Sequence, residues 1–545
     1  MKKRELLGLS LALVVFALLA AGCLSEESTG GTDPVTTGAL EADVIHLAGG
    51  NYGHPQPFSV NPRGPGRSKV AMIFDSLLER DESGLIPWLA ETWTISPDGR
   101  EYVFHLREGV RWQDGVLFTS DDVKFTIEYK REHIPIVGGI EEGIIDHVEV
   151  IDEHTVKFVL TRPTATFLYK LASLNIIPEH IYGTVADPIT FLAPEAFTGT
   201  GPYRLEKFNP EHGSYRFVAH DEFWGPRPAI KAVEFIPVSD EVIALEQGKI
   251  DFATITPDVL ARFERRPDIR IVQQPAFWGY ELYFSMNNRP ELNDKEIRQA
   301  FVYAIDRDEL VEKIQRGAGK PGRMGILPED HIWYNTDQPA YAFDVAKANA
   351  LLDEAGWKDT DGDGIRDKDG KKLSYTLSLA SDEVRIGELL KERLRDVGID
   401  VRVKALESKS RDDNLKMGDF ELLISGNGDW GVDADYLRTK YTSTATSLGR
   451  DGVSRAASCG YQNNTLDALA AREAVELDDE KRKAIVFEMQ ELLAEEIPAV
   501  PLLYTTRNDA WSVSKYDGWM CVYDFHSRTQ SKLSFLQREG VAAKR

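Results

Sequence analysis

The chain has 545 residues, enough for more than one hydrophobic core, with 42% hydrophobic and 28% charged residues. That composition is globular and excludes a disordered polymer. A formal charge of −24 argues against a nucleic-acid partner, because phosphate recognition needs concentrated Lys and Arg.

Lys2, Lys3 and Arg4 precede an apolar run from Leu6 to Ala21, closed by the small residues Ala20-Ala21-Gly22-Cys23. A charged start, a short apolar core and a small-residue end predict an export signal over 1–22. The run is shorter than the ~20 residues a spanning helix needs. Leu19 to Cys23 resembles a lipobox, which implies that Cys23 carries lipid and becomes the mature N-terminus. The protein would then sit on the outer face of the cytoplasmic membrane. Residues 23–40 follow as the lipidated cysteine and a polar, Gly/Thr-rich tether.

From Leu40 to about Pro275 the text reads as strands joined by turns. Tyr102-Val103-Phe104-His105-Leu106 alternates after the turn Ser96-Pro97-Asp98-Gly99. Val148 to Leu160 predicts two strands around Glu153-His154. Ser120 reads as an N-cap for a helix to about Arg131. From Asp294 the pattern changes to alternating helices and strands. One helix is predicted over Asp294 to Ile314 and another over Val345 to Ala355, capped by Asp344. A βαβ unit follows: Leu373 to Leu379, Asp382 to Val397, and Ile399 to Ala405. Phe420 to Ile424 adds a buried strand, and helices cover Leu466 to Glu476 and Asp479 to Glu496. Parallel strands with helical crossovers predict a doubly wound second lobe, with ligands at strand carboxyl ends. The tail after Pro501 returns to strand-like, aromatic text, so the chain crosses between lobes more than once.

Five segments carry a resemblance: Trp88 to Trp93 with Ser96-Pro97-Asp98-Gly99; Phe104 to Gly115 with Ser120 to Val123; Gly199 to Tyr203; Gln247 to Asp251; and Ile297 to Phe301 with Ala304 to Arg307. In this order they resemble family 5 of the extracellular solute-binding proteins, the oligopeptide-, dipeptide- and nickel-binding components of ABC importers. The resemblance implies an α/β, two-lobed periplasmic-binding-protein-like fold of the large type, with an extra subdomain inserted in lobe 1. Lobe 1 is expected at 41–74, 196–275 and 501–545, the insertion at 75–195, and lobe 2 at 276–500. It further implies a monomeric binding protein without catalysis. Such a protein hands a small ligand, a short peptide first of all, to the permease subunits of an importer. Cello- or xylo-oligosaccharides and nickel or its chelates, the last held by His54 or another histidine, are the alternatives.

The candidate ligand residues start at Trp430 and Asp433. In peptide-binding relatives an aspartate three residues after a tryptophan takes the ligand's α-amino group. A carboxylate beside an indole also suits a cationic amine by charge-assisted hydrogen bonding and cation–π contact. Trp278 and Tyr280 alternate onto one face where the lobes are expected to cross, and suit a side chain or sugar ring. Tyr52 and Trp511 are further candidates. Asp359, Asp361, Asp363 and Asp367, with the carbonyl of Ile365, match positions 1, 3, 5, 9 and 7 of a calcium loop, although position 12 is Gly370. No cofactor is required; structural Ca²⁺ is the one candidate. Cys459 and Cys521 are either a disulfide or two buried thiols. The sequence holds no HExxH or GxSxG motif, and Gly317-Ala318-Gly319-Lys320 runs into Pro321 rather than a phosphate-loop Ser or Thr.

Overall fold

A computed structural model describes residues 39–60, 66–136, 139–140, 142–428, 430–443, 459–520, 522 and 531–537, with the backbone alone for Phe277. The signal segment, Cys23, most of the tether and Cys521 lie outside the described residues.

Two long strands organise the fold. Ile269–Phe284 and Ala499–Ser512 run antiparallel, with Ile269 opposite Ser512 and Tyr283 opposite Ala499. At one end Phe252–Ile255 adds to Asn508–Trp511. At the other, Leu422–Asn427 adds to Gly279–Phe284, and Ser374–Ala380 then pairs parallel with both Leu422–Asn427 and Asp400–Leu406. The register breaks midway, between Gln274 and Trp278. Pro275 has no N–H to give the ladder, and the N–H of Ala276 goes instead to Asp330 Oδ2 at 2.8 Å. The irregularity therefore falls where the two strands leave one lobe and enter the other.

The first lobe is built on a four-stranded sheet in the order Ala42–Ala48, Ile230–Ile236, Ser214–Ala219, Tyr203–Asn209, with the first pair parallel. Its core includes Ile45, Leu47, Phe58, Phe74, Phe217, Phe235 and Trp511. A separate antiparallel sheet, in the order Ala90–Ile95, Glu101–Leu106, Thr155–Leu160, Ile145–Asp152, packs a core of its own around Phe104, Val123, Phe158 and Leu171. Met520, Val522 and Leu533, from the end of the chain, join that core. The second lobe buries both faces of the Leu422–Asn427 strand and the helices around it.

Several sequence expectations need correction. The helix over Asp294 to Ile314 is two helices, Lys295–Ala304 and Arg307–Gln315. The apolar spacing continues across the break, but the Asp306 side chain accepts the Glu309 N–H at 2.9 Å and starts a new helix. The helix after the Thr119-Ser120 step is capped one residue earlier than expected: Asp122 accepts the Thr119 N–H at 3.0 Å, while the Ser120 hydroxyl bonds the carbonyl of Asp152. The second lobe's sheet is mixed rather than purely doubly wound, because the two long strands enter it antiparallel to their neighbours. Within it, the βαβ unit Ser374–Ala380, Val384–Arg395, Asp400–Leu406 is where periodicity put it.

Candidate functional site

Leu422–Asn427 is buried along its whole length, and the chain leaves it through a tight loop in which Gly431 takes φ 54°. Trp430 is only 2% exposed, its ring edge-on to Tyr436 and Tyr504 at 6.2 and 5.7 Å. Two loop carbonyls are pinned from the segment before the Val345–Glu354 helix: Trp333 Nε1 donates to Val432 O at 3.2 Å, and His331 Nε2 lies 3.0 Å from Gly431 O. His331 Nδ1 accepts the Trp333 N–H at 3.2 Å, so Nε2 carries the proton. Burial pushes this imidazole down to about 4, which keeps it neutral.

The pinned loop delivers Asp433 to Arg482. The guanidinium grips both carboxylate oxygens, at 2.7 and 2.6 Å, and Asp433 Oδ1 also accepts the Asp435 N–H at 2.8 Å. Arg482 turns its Nε to Glu473 Oε1 at 2.8 Å and stacks over Trp333 at 5.0 Å. Asp435 pairs with Arg438 at 2.5 and 2.9 Å. Burial drives the Asp435 carboxyl upward, but its bonds to Arg438 outweigh this and hold it below its ordinary value. A carboxylate has about four acceptor positions. Among the described residues Asp433 uses three, leaving one on Oδ2.

The separate antiparallel subdomain reaches across to this place. The Ala165 N–H donates to Ala474 O at 2.9 Å, and Leu477 lies against Gly99. The short helix Phe167–Leu171 brings Tyr169 within electrostatic reach of Asp433 and Asp479, and Lys170 within reach of Asp435. Burial first, and these carboxylates second, push the Tyr169 hydroxyl up. Asp433 therefore sits, 14% exposed, where two lobes meet.

The other expected ligand residues are not gathered around it. Trp278 lies flat over Gly426, where any Cβ would strike its ring, and Tyr280 bonds to Trp278. A Cβ on the intervening Gly279 would point the opposite way, 2.8 Å from Tyr504 and 3.2 Å from Trp430. Trp278 and Tyr280 thus share a face, and Trp430 occupies the other. Tyr52 is in the first lobe, its N–H on Tyr215 Oη at 3.0 Å and its ring 4.7 Å from Lys69 Nζ. Trp511 is a core residue stacked on Phe252, with Nε1 on Asp517 at 2.8 Å. His54 packs between Phe197 and Phe208. Cys459 is buried in the second lobe's core, whereas Met520 and Val522, which flank Cys521, pack with the antiparallel subdomain.

In the acidic loop, one oxygen from each of Asp359, Asp361 and Asp363 lies within 4.8 Å of the others. Asp367 is turned to the Thr360 hydroxyl and N–H, and Lys372 reaches Asp361 and Asp363 at 2.8 and 2.5 Å. Three of the five expected donors fit a hard cation, and a lysine ammonium already stands among them.

A family profile described as bacterial extracellular solute-binding proteins, family 5, middle region, matches residues 84–448. The chain belongs to that family. It is 31% identical over 495 residues to Protein XP55 of Streptomyces lividans, covering 88% of this chain and 86% of that protein. It is 28% identical over 539 residues to the oligopeptide-binding protein AppA of Bacillus subtilis, covering 93% and 95%. The crystal structure of NikA from Brucella suis in complex with Fe(III)-EDTA superposes with a TM-score of 0.75 at 23% identity, over 91% of this chain and all of that one. The fold of this family 5 protein is accordingly the two-lobed periplasmic-binding type. Among the described residues no helix is long and apolar enough to cross a membrane.

Sequence reasoning missed Arg482, which holds Asp433, and Glu473, which holds Arg482. Both left a signal. Arg482 falls on the apolar stripe Ile485, Val486, Met489 of the helix Asp479–Glu496, and Glu473 on the stripe Leu466, Leu469, Ala470 of the helix Asn464–Glu473. A charge at a core position of a helix is placed there to meet a partner.

Proposed function

We propose that this family 5 protein is the substrate-binding lipoprotein of an ABC importer, capturing short peptides with a free amino terminus between its lobes and delivering them to a permease. The observation that carries the ligand class is Asp433. It is oriented by Arg482, keeps one acceptor position, and sits where the antiparallel subdomain meets the second lobe. An ammonium docked there gains a charge-assisted bond in a partly dry site. AppA is named an oligopeptide-binding protein, which supports the same class. Catalysis is no part of this reading. We assign the lobe boundaries given above, with the subdomain at 75–195, on the strength of the separate cores. Cys23 is the proposed lipid anchor, and mass spectrometry of the N-terminal peptide from membranes, against Cys23→Ser, tests it.

A calorimetric panel of tri- to pentapeptides, their N-acetylated forms, xylo- and cello-oligosaccharides, and nickel with and without histidine tests the ligand class. Free-amine peptides are expected to bind at micromolar Kd or tighter, and acetylation or Asp433→Asn to weaken them about a hundredfold, the worth of one buried charged hydrogen bond. Binding of acetylated and free peptides with equal affinity removes Asp433 from the site. Heat from sugars or nickel alone replaces the peptide with another ligand.

A further inference from the structure

The Asp433 site contains a buried carboxylate that the binding reading does not use. Glu473 is fully buried, and its Oε1 takes both Nε and Nη2 of Arg482. Its Oε2 meets no hydrogen-bond donor among the described residues. Arg482 compensates one oxygen of an ionised glutamate here, but the other would stand in a dry place with no donor, which is costly.

The groups facing it and its partners come from five segments. Asp433 lies on the loop after Leu422–Asn427, and Asp435 with Arg438 on the helix Asp435–Tyr441. Arg482, with exposed Asp479 at the same helix's start, comes from Asp479–Glu496. Lys170 and Tyr169 approach from the antiparallel subdomain, the former toward Asp435 and the latter toward Asp433 and Asp479. His331, neutral, also lies within reach of Asp433. Only Glu473 and Arg482 are fully buried; around them three carboxylates, Asp433, Asp435 and Glu473, share two guanidiniums, Arg482 and Arg438, with Lys170 of the subdomain within reach of Asp435. The proton belongs on Glu473, the one carboxylate of the three that is fully buried and keeps an oxygen with no donor. Burial first, then Asp435, pushes Glu473 up to about 7, with Arg482 working against them.

We propose that Glu473 is a proton-linked positioning residue for the ligand site: it acts on Asp433 through Arg482, and it gives up its proton when a cationic ligand group supplies the missing positive charge. The idea rests on the binding reading above for its ligand, an ammonium at Asp433. Its consequence is that capture of such ligands releases a proton and strengthens as pH rises toward neutrality. The gain ends where the ligand's own α-amine begins to lose its proton, near pH ~8.

The test uses the full mature chain and Glu473→Gln, which keeps the shape and one acceptor for Arg482. Titrations with a free-amine tripeptide at pH 6.5, in buffers of different ionisation enthalpy, read the protons released. Kd is followed from pH 5.5 to 7.5. The wild type is expected to release a proton and to gain about fivefold or more in affinity across that range, a typical coupling. Glu473→Gln should release none and show a flat Kd. Equal release in the two proteins, or none in the wild type, overturns the proposal. If no amine ligand binds, the binding reading has failed, and the apo protein still decides about Glu473. A carboxyl raised in the native state makes stability fall as pH rises from about 4.5 to about 7. Glu473→Gln should remove that fall in urea midpoints, and an unchanged fall overturns the proposal.

Discussion

Lys69 shows how far a single side chain departs from what its chemistry suggests. It stands in the helix Gly66–Ile73 at 1% exposure, with Nζ 3.7 Å from the Phe235 ring centroid, 4.7 Å from Tyr52 and 5.2 Å from Tyr215. Among the described residues its Nζ has no hydrogen-bond acceptor. Burial pushes the amine down to about 7 from an ordinary value near 10.5. Between those values the unfolded chain holds more protons than the native one, so this residue makes stability rise with pH across that window. Lys69→Met is expected to flatten the rise, with the variant's advantage in urea midpoint largest at pH 7 and smallest at pH 9.5. A wild-type slope in the variant would mean that the three rings keep the amine charged by cation–π attraction. The cage was invisible in the sequence, since its three rings come from two strands and a loop far apart in the chain. Asp433 was legible as a candidate, because a tryptophan three residues before it fits a family pattern; its guanidinium partner, 49 positions on, was not.

Among elements, the acidic loop and its hairpin Asp367–Lys368 with Lys371–Lys372 give the clearest case of a motif completed from nearby chain. We propose it as a calcium site in which Lys372 is the internal competitor. Asp361 and Asp363 hold that ammonium well above the ordinary lysine range, so a cation must displace it. In Lys372→Ala, millimolar Ca²⁺ is expected to raise Tm by several degrees, and in the wild type by less; no shift in either removes calcium from the loop. Helices and strands were read well where caps and apolar periods agreed, as at Asp344, whose side chain accepts the Lys347 N–H at 2.9 Å. The reading failed at Asp306, where one capping residue interrupted an unbroken apolar pattern.

For the whole molecule, the decisive contacts are those between the antiparallel subdomain and the second lobe. The Ala165–Ala474 bond and the packing of Leu477 on Gly99 are few and partly exposed, as a reversible closure requires. Leu477→Asp places a charge in that contact and is expected to favour the open arrangement. Small-angle scattering should show a larger radius of gyration than wild type without ligand and a smaller difference at saturation. Ligand affinity should fall about tenfold, the share of binding energy spent on closing. Equal radii would place the closing contact elsewhere.

The sequence by itself determined the family, most of the helices and the βαβ unit, because each is written in local periodicity, caps or short ordered motifs. Tertiary structure alone decided which residues share the site. It set Trp430 on the opposite face from Trp278 and Tyr280, because Gly279 lies between and strand side chains alternate. It buried Trp511 in the first core, and brought Asp433 from a loop and Glu473 from another helix to the one guanidinium of Arg482. Such convergence is set by how helices pack on a sheet, and residues distant in sequence carry no local mark of it.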